Sequence, residues 1–415
     1  MLHGQLRSIV FTVITTCILA GGYAAENTQP DGNNAPESGL ADDISASLVV
    51  CGRGARLISS FGHCSIHMSC PSANLDNYYT YLIHATPANI RRFFTEGICT
   101  GFFVVQKYDK FSKSYIEQDR PITEYPLNLT TDEIRRLWMN LDKETCFPTS
   151  RAYSFLHSQC TSISADIIRS TLLNERIEYG DLPKALTGTL RDFTDYAVAG
   201  YPWYLLCFQS LLGTEGEERG TVWEKLSPTA IQPVWSQSFI VDAAGNRRPV
   251  FTGDAHILFD GSFSPSEPSP LTPTLVFAIL LVCTILLTVA EVLTKKMHRT
   301  AKVYDIFLLC VQTLLGLFFT WLLLFSNASW MPGNVLPVVF NPIPAVLWAF
   351  FHKKKGFRRV YVLYAVVLAA MIIATPFIPQ LQWAHALLFG VFLVRVLAHA
   401  FGKSNKKHTH KSINK

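Results

Sequence analysis

LTPTLVFAILLVCTILLTVAEVLTKKMHR, Leu271–Arg299, decides the class of the C-terminal third of the chain. Leu271 to Ala290 carries no charge, and about 20 such residues cross a bilayer's hydrocarbon core. Four more apolar runs follow, at Val303–Phe325, Val335–Phe351, Val360–Ile378 and Leu381–Phe401. The connections alternate in charge. Lys295-Lys296-Met297-His298-Arg299 is basic, Ser326–Asn334 uncharged, Lys353–Arg359 basic and Pro379–Gln382 uncharged. The tail is basic again, with Lys403, Lys406, Lys407, Lys411 and Lys415. Five spans with every basic connection on one side obey the positive-inside rule and leave the large N-terminal region outside the cytoplasm. Of the 415 residues with net charge +5, the basic excess gathers in these clusters beside apolar runs. That argues for membrane topology and against nucleic acid.

The N-terminus agrees independently. Arg7 precedes an apolar core, Ile9–Ala20, and small residues follow at Gly21, Gly22, Ala24 and Ala25. This is the anatomy of an export signal cleaved near Ala24 or Ala25. The sequence therefore predicts a signal peptide at 1–25, a polar flexible leader at 26–44 and an exported α+β domain at 45–265. A five-helix all-α membrane domain at 271–402 and a basic cytoplasmic tail at 403–415 complete the order. The third span contains Pro337, Asn341, Pro342 and Pro344. Prolines there break the helix, so irregular backbone must be buried in protein or face a wet cavity. Asn341 is a candidate substrate-binding residue in such a groove, with a polar contact between helices as the plainer reading. Arg395 is placed near the inner face, within snorkelling reach, and is given no role.

In the exported domain, Ser45–Cys51, Cys64–Met68, Tyr78–Ile83, Phe102–Tyr108 and Ile122–Leu129 read as strands. Pro87–Glu96 reads as a helix. A capping box at Thr130–Glu133 opens another through Leu141, with Ile134, Leu137, Trp138 and Leu141 at helical spacing. Cys160 opens a third, with Ile163, Ile167, Ile168 and Leu172 on its buried side. Seven cysteines, Cys51, Cys64, Cys70, Cys99, Cys146, Cys160 and Cys207, allow up to three disulfides and leave at least one thiol free. There is no Gly-rich phosphate loop, no paired CxxC and no HExxH, so neither metal nor cofactor is expected. Cys160 has the best chemical context, because a helix N-terminus favours a thiolate. A nucleophilic thiol needs a histidine base, and His63, His67, His84 and His157 are the candidates.

The order of short motifs then adds to this reading. Cys51-Gly52-Arg53-Gly54 with Ser60-Phe61-Gly62-His63 resembles the "CGPG…SLFGH" opening of the Lnb-type lipoprotein intramolecular acyltransferases. Thr86–Asn89 with Phe93–Gly97, Leu127–Thr130 with Arg136-Leu137-Trp138, and Tyr153-Ser154-Phe155 with Cys160-Thr161 resemble successive segments of that family. So do Thr189-Leu190-Arg191, Tyr201-Pro202-Trp203, Leu212-Gly213 and Arg248-Pro249-Val250. The family also carries five C-terminal membrane helices, with Asn-Pro near the third, as at Asn341-Pro342.

The resemblance implies a permuted NlpC/P60-like thiol fold with Cys160 as nucleophile and His63 as base, then acid. It implies acyl transfer within bacterial lipoproteins, from the sn-2 ester to the N-terminal cysteine amine, through a thioester. It implies membrane lipid and lipoproteins as partners, and a bacterial inner-membrane location with the large domain periplasmic. His84, on the next predicted strand, is the candidate third catalytic residue, and Arg191 a candidate for the polar part of a lipid. The chain departs from the pattern at Ser158-Gln159, where the family has an acidic residue and Asn, and at Tyr78-Tyr79-Thr80, where it has "NYG". A thiol hydrolase of cell-wall peptide or lipid ester and a non-catalytic membrane scaffold are the competing readings.

Overall fold

A computed structural model describes residues 43–401, apart from 57, 84–85, 90–91, 93–98, 147–150, 155, 183, 223–224, 266–269, 295 and 353–355. The predicted signal peptide, almost all of the leader, the basic tail and most of the Pro87–Glu96 helix lie outside the described residues. The chain divides into two compact units.

The first unit is built on a seven-stranded sheet. Its strands are β1 (Ser45–Cys51), β2 (His63–Cys70), β3 (Leu75–Ile83), β4 (Cys99–Gln106), β5 (Ile122–Pro126), β6 (Arg151–Tyr153) and β10 (His256–Phe259). The order is β10-β5-β1-β2-β3-β4-β6, antiparallel throughout. A smaller sheet joins β7 (Arg176–Glu178), β8 (Phe239–Val241) and β9 (Arg247–Pro249). Successive strand residues point to opposite faces, and both faces of the large sheet are covered. Leu48, Cys64, Ile66 and Met68 face the main core, with Leu137 and Leu141 of the Thr131–Cys146 helix and Ile163 and Ile168 of the Cys160–Arg169 helix. Val49, Cys51, Tyr78 and Ile122 face a second cluster under Phe111 and Tyr115 of the Tyr108–Ile116 helix.

That last helix replaces the end of a predicted strand. Phe111 and Tyr115 stand four apart on one side of it, a helical spacing inside a mostly polar stretch. The capping box at Thr130 is present: the Thr130 amide donates to Glu133 Oε2 at 2.7 Å. Glu133 is also held by Arg248, which bonds both its oxygens and Glu175. All seven exported-domain cysteines are free thiols.

The second unit holds the apolar helices. Among the described residues four are long and apolar enough to cross a membrane: Pro273–Thr294, His298–Phe325, Arg358–Phe377 (its last turn 3-10) and Trp383–Phe401. The third predicted span is not one continuous helix. It is two short ones, Leu336–Val339 and Ile343–Phe351, broken at Phe340–Pro342. Asn341 fills the break: Nδ2 donates to the Pro337 and Val338 carbonyls at 3.2 and 3.1 Å, and Oδ1 accepts from the Ile343 amide at 3.1 Å. Gln312 Nε2 donates to the Asn341 carbonyl at 2.7 Å. A Cβ on Gly316 would stand 2.5 Å from the Asn341 carbonyl carbon, so glycine is what admits the break beside this helix. Backbone groups freed by the prolines thus find partners inside the protein, as a nonpolar solvent requires.

Arg395 corrects the snorkelling expectation. It is 3 % exposed and bonds Asp305 at 2.6 and 2.9 Å, Glu291 at 2.9 Å and Thr288 at 2.8 Å. His399 joins Asp305 at 2.8 Å. The guanidinium ties three helices instead of reaching for water, because two carboxylates face it and pairing costs less than exposure to lipid.

Candidate active site

The Cys160 helix starts where the sequence places it. Gln159 is extended at φ −106°, and the Ser162 hydroxyl accepts from the Gln159 amide at 2.9 Å and donates to its carbonyl at 3.1 Å. This reciprocal bonding satisfies groups that a helix start leaves open. Ile163, Ile167 and Ile168 bury the helix against the sheet. Cys160 is left at the first turn, 8 % exposed.

The thiol sits against the end of β2. The backbone amides of Cys64, Thr161 and Cys160 itself favour the thiolate, and Thr161 Oγ1 lies 3.9 Å from the sulfur. A helix N-terminus was expected to favour the thiolate, but burial outweighs it and holds the thiol pKa above the ordinary value. Cys51 and Cys64 flank the same spot. Burial raises Cys51 to about 12 and Cys64 well above the ordinary thiol range.

His63 opens β2 directly after Gly62, whose φ of 82° belongs to glycine. A Cβ there would meet the Cys51 carbonyl oxygen at 2.9 Å. In register His63 pairs with Cys51 and so shares its face of the sheet. The imidazole stacks at 6.3 Å on Tyr115, and Nε2 hydrogen-bonds Thr80 Oγ1 at 2.6 Å. Burial, then the Arg120 charge, push its pKa down to about 3, so the ring is neutral at any physiological pH.

His63 and Cys160 are neighbours without being bonded. The amide of Cys64, the residue after His63, favours the Cys160 thiolate. The side chain of His63 lies with Cys51 and Thr80, whereas Cys160 belongs to the core on the other face. Both lie near the end of β2 that β3 leaves unpaired. Pairing of β2 with β3 begins only at Ser65 and Thr80, so β3 does not close over His63 and Cys64.

The remaining candidates are placed as follows. His84 lies outside the described residues. Thr80 is the residue bonded to the imidazole, and it escaped the sequence reading. Its signal was strand parity, since it pairs with Ser65, two residues from His63. Arg191 is buried and donates through Nε to Glu217 Oε1 at 2.6 Å. Asn341 bonds the helix break in the other unit. His67 is held between Glu124 at 2.6 Å and Asp76 at 2.7 Å, and His157 pairs with Glu215 at 2.8 Å. Among the described residues no cluster of three or more His, Cys, Asp or Glu side chains could hold a metal.

Residues 37–195 match the family model described as the Lnb N-terminal periplasmic domain. Residues 265–407 match that of the Lnb transmembrane domain. No curated protein and no solved structure matches the chain.

Proposed function

We propose, from the premise that the chain belongs to the Lnb family of membrane proteins, that it is a Cys160-dependent acyltransferase working on bacterial lipoproteins in the inner membrane. The multi-pass helices and the N-terminal periplasmic domain fit a lipoprotein-modifying role. The observation that carries the chemical reading is Cys160, held at the first turn of a helix packed on β2, the strand that the neutral His63 opens. A helix-borne cysteine packed on a sheet that bears the histidine also supports the permuted NlpC/P60-like description.

The proposed first half-reaction is attack of Cys160 Sγ on the carbonyl carbon of the sn-2 ester. Both partners rest neutral, so His63 takes the thiol proton as the S–C bond forms and avoids a standing buried thiolate. Nε2 is engaged by Thr80, which leaves Nδ1 as the base. The ring must pivot about its Thr80 bond toward the thiol, at the end of β2 that β3 leaves unpaired, and catalytic hydrogen bonds commonly tighten only once substrate is bound. The amides of Cys160 and Cys64 are available to the oxyanion. His63 then protonates the departing glycerol oxygen, leaving a thioester on Cys160. In the second half-reaction the α-amine of the lipoprotein's first cysteine attacks the thioester. His63 takes the amine proton and returns it to the leaving sulfur.

The test is mass spectrometry of lipoprotein N-terminal peptides from cells carrying wild type or C160A. The expected result is a lyso form with an N-acylated cysteine in wild type and its loss in C160A. Unaltered acylation in C160A would end the catalytic reading. Lipoproteins that are unmodified in both, with cell-wall peptides or lipid esters cleaved only by wild type, would make the protein a thiol hydrolase.

A further inference from the structure

Two arginines, Arg53 and Arg120, lie beside this site. Arg120 is 3 % exposed, and its Nε donates to the Gly52 carbonyl at 2.8 Å. Its guanidinium lies over the Tyr115 ring at 4.7 Å. Arg53 donates through Nε to the Ser60 carbonyl at 2.8 Å and lies over the Tyr201 ring at 4.7 Å. Each has a buried terminal nitrogen, Nη2, with no hydrogen-bond partner. Neither pairs with a carboxylate among the described residues. The domain's other buried arginine, Arg191, has Glu217, and the half-buried Arg248 has Glu133 and Glu175.

Both arginines are built into one turn. Arg53 is part of Gly52–Gly54, and Arg120 bonds Gly52 and lies against Gly54, where an added Cβ would stand 3.0 Å from its Cδ. Tyr201 donates to the Gly54 carbonyl at 2.8 Å and feels the charge of both. Arg120 also acts on His63 and Cys51, so the turn adjoins the candidate active site. One buried and one half-buried positive charge, each with a buried idle donor and no counterion among the described residues, are costly unless an anion completes them. Guanidinium groups suit oxyanions because their N–H forks match them bidentately. Two forks on one turn favour a phosphate, which offers more acceptor oxygens than a carboxylate. The aromatic rings under both guanidiniums fix their planes.

We propose that Arg53 and Arg120 form a phosphate-binding subsite beside Cys160 and His63, taking the phosphate of a phospholipid headgroup or of a soluble phosphate ester. The subsite does not depend on acyl transfer, because binding is read without turnover.

The test is calorimetric titration of the full-length protein in non-ionic detergent with dihexanoylphosphatidylglycerol, glycerol 1-phosphate, dihexanoylglycerol and an acidic hexapeptide. Saturable binding of a phosphate ligand is expected, with dihexanoylglycerol at least tenfold weaker. R53Q and R120Q should each weaken it about tenfold to a hundredfold, the loss of a charge-assisted hydrogen bond. If R120Q fails to fold, R53Q, whose side chain is partly exposed, carries the comparison. Tighter binding of the phospholipid than of glycerol 1-phosphate assigns the lipid source, and equal binding assigns a soluble one. The proposal is overturned if neither phosphate ligand saturates, if R53Q binds like wild type, or if the acidic peptide binds more tightly than both.

Discussion

Thr80→Val is the sharpest perturbation of the candidate site. Threonine and valine are both β-branched and nearly equal in volume, so β3 keeps its shape and strand preference. What is lost is the 2.6 Å bond to His63 Nε2 in a position 1 % exposed. Leaving that nitrogen unpaired costs about 1–3 kcal/mol. If the cost falls on the working orientation of the ring, it is tenfold to a hundredfold in rate, at about 1.4 kcal/mol per decade. The neutral ring presents Nδ1 as base only when Nε2 carries the proton, and Thr80 Oγ1 can accept from Nε2 in that tautomer. T80V should therefore lower kcat by about tenfold to a hundredfold with KM unchanged. T80S keeps the hydroxyl and should restore most of the rate. The assay follows conversion of a synthetic diacylated lipopeptide to its N-acyl lyso form by mass spectrometry, with purified protein in lipid nanodiscs. A folded T80V with wild-type kcat would refute the positioning role. So would a T80S as slow as T80V, since a purely steric contribution ignores the hydroxyl.

Because burial holds the Cys160 thiol above its ordinary pKa, its alkylation by iodoacetamide should keep rising through pH 9; a plateau below pH 8 would indicate a stored thiolate instead. His67 is opposed by burial, but Glu124 and Asp76 outweigh it and raise its pKa above 6.5, while His67 in turn holds Glu124 below its usual 4.5. The histidine's contribution is complete below the unfolded value and lost as pH rises through the folded one; the carboxylate's is present above 4.5 and lost as pH falls through its lowered value. H67Q should therefore reduce the Tm most near about pH 5.5 and least near about pH 9, and a deficit independent of pH would refute the linkage. Replacing Arg395 by Met strands Asp305 and Glu291 in the bundle, which should cost about 3–5 kcal/mol; thermal unfolding in detergent would show it as a large fall in Tm, and an unchanged Tm would make the network dispensable.

The apolar helices of the C-terminal part were legible because hydrocarbon imposes a strict length and charge rule, although their ends shifted by up to five residues, as from Val303 to His298. The same rule flagged Pro337, Asn341 and Pro342 as irregular. It could not say that Asn341 would bond Pro337, Val338 and Ile343 across its own break, because that depends on how far the backbone opens. Arg395 was misread for a related reason. Distance along a helix gives depth in the bilayer but not the facing partner, and Asp305 lies 90 residues earlier.

In the exported domain, local pattern sufficed for β1 and for the starts of the Thr131 and Cys160 helices. Capping and strand alternation are short-range. Cys160 could be singled out by its helix start, and His63 by its order in the motif. Their relation could not. Whether a thiol meets an imidazole depends on which face each occupies, and on β2 and β3 parting before His63. The thiol's protonation was likewise decided by burial, a property of everything packed around it, against the local field of its helix. Thr80 and Arg120 came into view only through register and packing. The sequence alone determined the two-part architecture and singled out the candidate residues of the site. The tertiary structure decided their neighbours, their protonation and the pairing of buried charge, because these are sums over contacts far apart in the chain.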